Sequence, residues 1–383
     1  MLLSKGENMK NRSILQSIYI VGVLGCLTLF GVFIFAGKQK TFSEQENRYL
    51  ATFPIVSWKG ILEGSVQKQL DNYANDQFPL RKEWMELSTD MEKKIGNSCI
   101  NGVYLGKDGY YLEQVLDSQI SKARYKNNLK MVQHFFSDGI KRKAMLLVPS
   151  RGCLLKDKLP KGAVMYNDTD LYQKGKNYIN IGWLDIRKEL QRAAKTKQVY
   201  FKTDHHWTLQ GAYIAYTALQ KEWGNKTVPY ETFLPTRVSK HFLGTMYAKV
   251  LERHPQEDGL DIPKALPQPL KVTCDGEVRQ GIYVEEKLQG NDKYAVYFGG
   301  NYGIVEIENP KATAGTLLVI KDSFANSLVP MLIGQYKKII MLDLRYYNLS
   351  VKKIVQENPK ADVLVLYEMS NFAKEEHLYK LLN

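Results

Sequence analysis

The sequence predicts an α/β protein whose mainly parallel sheet lies between helices and follows an N-terminal transmembrane helix. The chain has 383 residues and is 44% apolar, which is enough for one large α/β domain or two of average size. A long uncharged stretch stands near the N-terminus. Over the rest of the chain, short apolar runs alternate with amphipathic helical patterns, as is typical of βαβ units.

Charge and cysteine content narrow the classes of function. The formal net charge of +13 suits a nucleic acid, an anionic membrane surface or an acidic cell-wall polymer, although a lysine-rich composition raises the charge without any partner. No nucleic-acid recognition motif supports the first of these. At most one disulfide can form among Cys99, Cys153 and Cys274, and no cysteine or histidine spacing indicates zinc. The sequence therefore predicts no metal and no cofactor.

The uncharged stretch from Ser13 to Gly37 is long enough to cross a bilayer. Basic residues precede it, so the tail 1–12 is expected in the cytoplasm and everything after Lys38 outside it. A cleaved signal peptide usually has a shorter apolar core. A lipoprotein signal ending at Cys26 is the other alternative, but the apolar run continues past that cysteine. We therefore favour an uncleaved anchor over residues 13–37.

A juxtamembrane segment, 38–95, separates the anchor from the predicted catalytic domain, 96–383. Apolar residues recur at near-helical spacing from Trp58 to Lys94, which indicates a helical stalk or packing collar. The segment Asn101–Glu113 then alternates apolar residues around Asp108-Gly109, which predicts a β-hairpin.

The remaining elements follow in order and predict the parallel sheet. An irregular insertion interrupts them at about 226–315. Helices are expected at Asp117–Ser137, Tyr178–Arg192 and Thr208–Trp223. Strands are expected at Met145–Val148, Gln198–Lys202, Thr316–Ile320, Lys338–Leu342 and Asp362–Leu366. Because sites in such sheets lie at the carboxyl ends of strands, we looked for reactive side chains directly after these runs.

Asp204 and His206 follow one predicted strand. In an extended segment their side chains leave on the same side while His205 points away, so the carboxylate could orient the imidazole. The alternative is that these residues only cap the helix that follows and form a hydrogen-bonded pair on the surface.

Ser323 follows another predicted strand and begins a helix. There its amide could bind an oxyanion while its hydroxyl attacks a carbonyl. The alternative is that Ser323 is a helix N-cap, and no G-x-S-x-G elbow is present.

Several segments together resemble the DHHW family and the neighbouring alginate O-acetyltransferases. The most specific is FKTDHHWTLQGA at Phe201–Ala212, followed about 120 residues later by Asp322-Ser323-Phe324. Four further segments occur in the family's order: FSEQENR at Phe42–Arg48, GKDG at Gly106–Gly109, LVP at Leu147–Pro149 and FLGT at Phe242–Thr245. The resemblance covers most of the chain outside the anchor.

The resemblance implies a fold similar to the SGNH hydrolases, with Asp and His preceding the nucleophile. Carried over by position, Ser323 is the nucleophile, His206 the general base and later acid, and Asp204 its orienting carboxylate. The oxyanion donors would be the Ser323 amide and Asn371, which follows the last predicted strand. The alternative for Asn371 is that it only caps that loop.

Two further residues are expected to line this predicted site. Trp207 would pack against the site wall and bind substrate there, and Arg345, beside Asp343, would either bind substrate or only pair with that carboxylate. His205 is expected to be structural. A zinc site on Asp204, His205, His206 and either His241 or His254 is poorly arranged, because adjacent residues of a strand face opposite ways.

The resulting hypothesis is an extracytoplasmic O-acyltransferase that carries an acyl group on Ser323 to a cell-surface or exported polysaccharide. The resemblance implies that this group is acetyl. A multispanning membrane acyltransferase would supply the acyl group, and no nucleic acid is involved. The alternatives are a carbohydrate esterase or deacetylase with the same residues, and a non-catalytic glycan-binding assembly protein.

Overall fold

The structure is a computed structural model that describes residues 2–43, 48–137, 139–140, 142–179 and 182–382. The chain divides into two compact units, Met1–Met91 and Glu92–Asn383. Part of the family-like segment Phe42–Arg48, residues 44–47, lies outside the described residues.

The first unit begins with a long helix, α1. Within it, Leu15–Ala36 has a mean hydropathy of 2.5 and is long and apolar enough to cross a membrane. The whole of α1 runs from Leu2 to Ala36. A two-stranded ribbon and shorter helices follow it: β1 (Phe42–Ser43), β2 (Arg48–Tyr49), α2 (Trp58–Leu62), α3 (Ser65–Asp76) and the start of α4 (Arg81–Lys94).

The helical stretch expected from Trp58 to Lys94 is divided into three helices. Gly64 takes a left-handed conformation, with φ of 75°, and ends the first turn of helix because glycine adopts this conformation without steric cost. Pro79 precedes Leu80, whose φ of 55° turns the chain between α3 and α4.

The second unit contains an eight-stranded sheet. Its order is β11-β10-β12-β14-β13-β15-β6-β7. The five strands from β14 to β7 are parallel, and the other three add antiparallel. The strand bounds are β6 (Lys143–Val148), β7 (Trp183–Leu184), β10 (Lys271–Cys274), β11 (Glu277–Arg279), β12 (Ile304–Glu308), β13 (Ala314–Lys321), β14 (Tyr336–Leu342) and β15 (Asp362–Glu368).

Two small sheets accompany the large one. The expected hairpin is confirmed, with its strands pairing antiparallel and its turn formed by Asp108 and Gly109, both at positive φ. The insertion supplies a second ribbon and strands β10 to β12 of the large sheet. The strands of the small sheets are β3 (Cys99–Ile100), β4 (Val103–Leu105), β5 (Tyr111–Glu113), β8 (Pro235–Phe242) and β9 (Asp258–Pro263).

Helices cover both faces of the large sheet. Helices α8, α9 and α11 contribute to the core on one face, and α5, α7, α12 and α13 to the core on the other. Their bounds are α5 (Lys122–Ser137), α6 (Arg151–Leu154), α7 (Asp168–Tyr178), α8 (Arg187–Ala194), α9 (Leu209–Glu222), α10 (Thr245–Val250), α11 (Ala325–Leu328), α12 (Val351–Glu357) and α13 (Met369–Lys374).

Strand β13 explains why the sequence pattern of the parallel strands is continuous and not alternating. Leu317 and Val319 enter one core, while Leu318 and Ile320 enter the other. A strand with apolar neighbours on both faces needs apolar residues at every position. Because β13, β15 and β6 are parallel neighbours, their carboxyl ends bring Ser323, Glu368 and Ser150 to the same edge.

Two expected elements are wrong. The helix expected at Tyr178–Arg192 is wrong in its first part: α7 ends at Tyr178, the edge strand β7 follows, and among the described residues of this range beyond Tyr178 only those from Arg187 onward, in α8, are helical. Gly182 makes this path possible: a Cβ there would overlap the Lys143 carbonyl, and the Gly182 carbonyl accepts from the Met145 amide at 2.7 Å.

The strand expected at Gln198–Lys202 does not join the sheet. Tyr200 forms only an isolated antiparallel bridge with Trp207, and the Phe201 amide donates to the His206 carbonyl at 3.1 Å. The segment is a loop folded back on itself. The expectation that His205 points away from His206 is wrong for the same reason: their ring centroids are 3.9 Å apart.

Candidate active site

Ser323 stands two residues after the last residue of β13. It is half-buried, and Phe324, not Ser323, is the N-cap of α11. The Phe324 amide donates to Asp322 Oδ1 at 3.0 Å. No hydrogen bond to the Ser323 amide occurs within the described ranges, so that N–H is available to a ligand.

The loop that carries His206 is held from two directions. Asp258, at the start of β9, accepts from the Lys202 amide at 2.9 Å and from both the amide and the hydroxyl of Thr203 at 2.7 Å. Arg151, at the start of α6, is buried and donates to the carbonyl oxygens of Phe201 at 2.5 Å and of Asp204. Backbone that belongs to no sheet is thereby held by side-chain hydrogen bonds.

A chain of short hydrogen bonds joins the three residues that the sequence singled out. His206 Nε2 lies 2.8 Å from Ser323 Oγ, and His206 Nδ1 lies 2.6 Å from Asp204 Oδ1. The other carboxylate oxygen, Oδ2, accepts from the Thr245 amide at 2.9 Å and from its hydroxyl at 3.0 Å. This arrangement could pass a proton from the serine to the imidazole while the carboxylate holds one tautomer.

The charge on Asp204 is stabilised despite its burial. Burial alone would raise the pKa of this carboxyl, but the nearby His205 and His206 and the hydrogen bonds from His206 and Thr245 hold the pKa well below its ordinary value. Asp204 is therefore ionised and can stabilise an imidazolium that forms on His206.

His205 has a different electrostatic state. Burial and the neighbouring His206 lower the pKa of His205 to about 4, so this ring is neutral at pH 7. Its Nδ1 lies 2.6 Å from the Thr245 hydroxyl. Because that hydroxyl gives its single hydrogen to Asp204, His205 Nδ1 is the donor in this bond. This contact is consistent with the structural role expected for His205, which stays a prediction.

Aromatic side chains hold the His206 ring in place. Tyr294, from the 3₁₀ helix Lys293–Val296 of the insertion, stacks on the imidazole with ring centroids 3.7 Å apart and an interplanar angle of 9°. The Tyr294 hydroxyl lies 3.3 Å from the Ser323 carbonyl and 3.1 Å from Ser327 Oγ. One buried side chain thus contacts both the imidazole and the backbone of the serine.

Asn371, the expected oxyanion donor, stands in α13. Its side-chain Nδ2 donates to Asp322 Oδ2 at 2.9 Å, which leaves one of its two N–H groups for another acceptor. Asp322 is fully buried, and burial raises the pKa of its carboxyl. The Asn371 amide donates to Glu368 Oε2 at 2.8 Å.

Arg345 and Asp343 pair with each other. The guanidinium donates through Nε at 2.9 Å and Nη2 at 2.6 Å to the two carboxylate oxygens. Lys321 Nζ lies 3.9 Å from the same carboxylate, and burial lowers the pKa of this lysine to about 8. Arg345 was expected either to bind substrate or only to pair with Asp343, and the structure contains the pair with Asp343.

Trp207 has a packing role. Its indole is fully buried, and its N–H is directed to the Phe324 carbonyl at 3.1 Å and to Ser327 Oγ at 2.8 Å. We therefore correct its assignment as a substrate-binding residue, since a side chain without exposed surface does not contact a ligand. It instead joins the histidine loop to the segment that follows Ser323.

The zinc alternative would use Asp204, His205 and His206 together with a fourth ligand. These three residues do offer ligand atoms within 4.8 Å of one another. The nitrogen atoms of His206 and Nδ1 of His205 already have the partners described above. A metal would have to replace those hydrogen bonds, so the donor set fits a proton relay better than a metal site.

A small cavity of about 40 Å³ adjoins this arrangement. Its walls include His205, Phe324 and Asn371 together with Glu113, Val115 and Glu368. Ser323 and His206 are not among its walls, so the cavity lies beside the hydrogen-bond chain and not within it.

Sequence reasoning missed the residues that position the loop, among them Arg151, Asp258 and Tyr294. The motif at Phe242–Thr245 contained part of the signal. A Cβ at Gly244 would overlap the Asp204 carboxyl group, and Thr245 supplies two of its hydrogen bonds, so this motif is the wall against which Asp204 rests.

The fold and the site together define a mixed α/β protein with a serine, a histidine and an aspartate in hydrogen-bond contact. The model of the DHHW protein family matches residues 161–342, which confirms the resemblance predicted from the motifs. Solved structures agree on the fold. A DHHW family protein from Eubacterium siraeum superposes with a TM-score of 0.62 at 23% identity, over 74% of this chain and 95% of that one. Bacillus cereus PatB1 gives 0.55 at 23% identity, over 72% and 97%.

Among curated proteins, this chain is similar to the probable alginate O-acetylase AlgJ of Pseudomonas syringae pv. tomato. The two are 25% identical over 210 residues, which are 52% of this chain and 50% of that protein. The Pseudomonas fluorescens protein of the same name is 27% identical over 177 residues, 44% of this chain and 45% of that one. The chain thus spans about half the length of the curated relatives it matches.

Proposed function

We propose that the chain is a membrane-anchored serine O-acyltransferase that transfers an acetyl group to a cell-surface or exported polysaccharide outside the cytoplasm. The observation that carries this proposal is the hydrogen-bond chain from Asp204 through His206 to Ser323 Oγ. Residues from two separate parts of the sequence, the loop of Asp204 and His206 and the segment of Ser323, meet with the distances that nucleophilic catalysis needs.

In the proposed reaction, His206 Nε2 takes the Ser323 proton as Oγ attacks the carbonyl carbon of an acyl donor. The Ser323 amide, aided by Asn371, binds the oxygen that becomes negative. The intermediate then expels the donor's leaving group, which takes the proton from His206, and an acyl ester remains on Ser323. An acceptor hydroxyl next gives its proton to His206 and attacks the ester carbonyl. As the bond to Ser323 breaks, His206 returns the proton to Ser323 Oγ and the serine is restored.

The names of the curated relatives, which are alginate O-acetylases, support acetyl as the acyl group. The same names support a polysaccharide acceptor. We infer that α1 anchors the chain in the membrane and that a multispanning acyltransferase delivers the acyl group, because acetyl-coenzyme A is not available outside the cytoplasm.

The variant Ser323→Ala tests the mechanism. We expect it to lower kcat/KM for an activated acetyl ester such as p-nitrophenyl acetate by at least about a thousandfold, with an unchanged thermal unfolding midpoint. A sulfonyl fluoride should modify the parent at Ser323 and leave the variant unmodified in peptide mass spectrometry.

The matched control is Ser121→Ala, which removes an exposed hydroxyl whose contact is the Arg124 amide. It should keep parental activity. Full esterase activity in the Ser323 variant would exclude the proposed nucleophile.

A carbohydrate esterase with the same residues is the second candidate, and the half-exposed position of Ser323 favours it, because water can reach an acyl group there. The two functions differ in the fate of the acyl-enzyme. With acetylated enzyme and alginate oligosaccharides, transfer predicts acetylated sugar by mass spectrometry, whereas hydrolysis predicts free acetate at a rate that does not depend on the oligosaccharide.

A further inference from the structure

The first unit contains an apolar surface that the proposed acyl transfer does not use. We infer that the corner between α3 and α4 is inserted into the outer leaflet of the membrane beside α1, so that the juxtamembrane unit is a membrane-embedded collar and not a stalk. We call this corner, residues 77–84, the collar tip. The inference rests on the anchoring of α1 proposed above.

Helix α3 descends along the end of α1. The Tyr73 hydroxyl donates to the Ile34 carbonyl at 3.1 Å, two residues before α1 ends. Five residues further along, the Phe78 ring stacks on Phe30 with centroids 5.0 Å apart. The chain of α3 therefore runs antiparallel to α1, from the level of residue 34 to the level of residue 30.

The length of α1 converts these contacts into a depth. The span Leu15–Ala36 has 22 residues, which at about 1.5 Å per residue gives about 33 Å, close to the roughly 30 Å of a hydrocarbon core. Phe30 lies six residues before Ala36, and therefore about 9 Å below the outer end of the span. Monotopic apolar surfaces are typically buried about 5–10 Å, so the collar tip lies at that depth.

The side chains of the collar tip suit lipid contact. Leu80 is 68% exposed and Trp84 is 47% exposed, and the Trp84 ring packs edge-on against Phe78 with centroids 6.5 Å apart. Arg81 and Lys82 follow Leu80, and their long side chains can reach the headgroups while their stems stay in the apolar layer.

Exposed apolar residues continue at the level of the membrane surface. Phe53 contacts both Phe35, near the end of α1, and Tyr73, which places it at the boundary. Close behind it in the chain, Ile55 is 91% exposed and Trp58 83% exposed. Aromatic residues are enriched at this depth because their rings combine an apolar body with a polar atom.

Charge does not explain a membrane contact here. Residues 38–91 contain seven Lys and Arg against eight Asp and Glu. Apolar burial must therefore supply the binding, and we expect insertion into zwitterionic bilayers without anionic lipid. A protein partner is the other possible occupant of this surface; the continuity of the collar tip with a helix that itself requires lipid favours the bilayer.

Quenching by brominated lipid tests the inference on the full chain. The chain has five tryptophans, of which Trp58 and Trp84 lie in the first unit. In phosphatidylcholine vesicles with bromine near the headgroup end of the acyl chains, we expect parental fluorescence to be clearly quenched relative to unbrominated lipid. Trp84→Phe should remove much of the quenched fraction. The matched control Trp223→Phe, which alters a buried indole of the second unit, should retain it.

A second variant keeps all tryptophans. Leu80→Asp places a charge on an exposed side chain of the collar tip and should reduce the quenching at Trp84, while flotation with the vesicles persists because α1 is unchanged. Equal quenching in the parent and Trp84→Phe, or quenching unaffected by Leu80→Asp, would overturn the inference. Loss of flotation by the parent would instead overturn the anchoring on which the inference rests. Activity with an acetyl ester is independent of both readouts.

Discussion

Each polar atom of the His206 side chain has a partner, and in the proposed mechanism these partners define the direction of proton transfer. Nδ1 contacts Asp204 and Nε2 contacts Ser323, while the face of the ring lies against Tyr294. Because the carboxylate holds a hydrogen on Nδ1, Nε2 carries the lone pair that the serine hydroxyl needs.

Asp204→Asn tests this orientation. An asparagine can donate to Nδ1 and so favour the wrong tautomer, which should lower kcat/KM for an activated acetyl ester. We expect the fold-loss to be roughly a hundred times smaller than the fold-loss in Ser323→Ala. His206→Ala should match the serine variant. A parental rate in Asp204→Asn would remove this carboxylate from the mechanism.

Tyr294 is expected to position the imidazole. Tyr294→Phe keeps the stacked ring and loses the hydroxyl contacts, so we expect a few-fold loss of kcat, whereas Tyr294→Leu removes the stacking surface and should cost at least about tenfold, with KM changed little in both. Steady-state kinetics and thermal midpoints distinguish this from misfolding. Equal activity of the leucine variant and the parent would show that stacking is dispensable.

At the scale of elements, the site depends on connections between segments distant in the chain. Strand β13 delivers Ser323, whereas the histidine loop has no strand of its own and is held by α6 and β9. Gly244 allows the start of α10 to approach Asp204. The activity is therefore expected to respond to residues that never contact the substrate.

Asp258→Asn tests this dependence. An asparagine side chain has one acceptor oxygen, whereas the carboxylate accepts with both oxygens from Gln198, Lys202 and Thr203. The NH₂ group of the asparagine would face donors and leave some of them without an acceptor. The free energy of unfolding should therefore fall by about 2 kcal/mol. Urea unfolding and kcat measure the effect. Asp261→Asn, on the same strand but in an exposed pair with Arg237, is the matched control and should change stability by at most about 1 kcal/mol. Equal effects of the two would contradict the role given to Asp258.

At the scale of the whole molecule, two groups of the site, the partly exposed His205 and the buried Asp204, are expected to couple folding to pH. His205 has its folded pKa lowered to about 4 from an unfolded value near 6.5, so the unfolded chain binds the proton first and stability falls as pH falls through that window. Asp204, with its pKa held well below the ordinary value, contributes stability above about pH 4 that is lost on further acidification.

We therefore expect the free energy of unfolding to decline between about pH 6.5 and pH 4, and His205→Gln to flatten this decline. Urea titrations at a series of pH values measure it. His241→Gln, which replaces an exposed histidine of β8, is the matched control. An unchanged slope in the His205 variant would show that the ring is protonated in the folded state.

The sequence by itself determined the apolar N-terminal helix, the doubly buried strands β6, β13, β14 and β15, and the residues Asp204, His206 and Ser323, because continuous apolar runs and short motifs depend on local order along the chain. Only the tertiary structure decided that Gln198–Lys202 is a loop and not a strand, and that Arg151, Asp258 and Tyr294 hold it. Hydrogen bonds and ring contacts between residues about 50 to 90 positions apart leave no periodic pattern, since the partners meet only after the sheet and the insertion have packed.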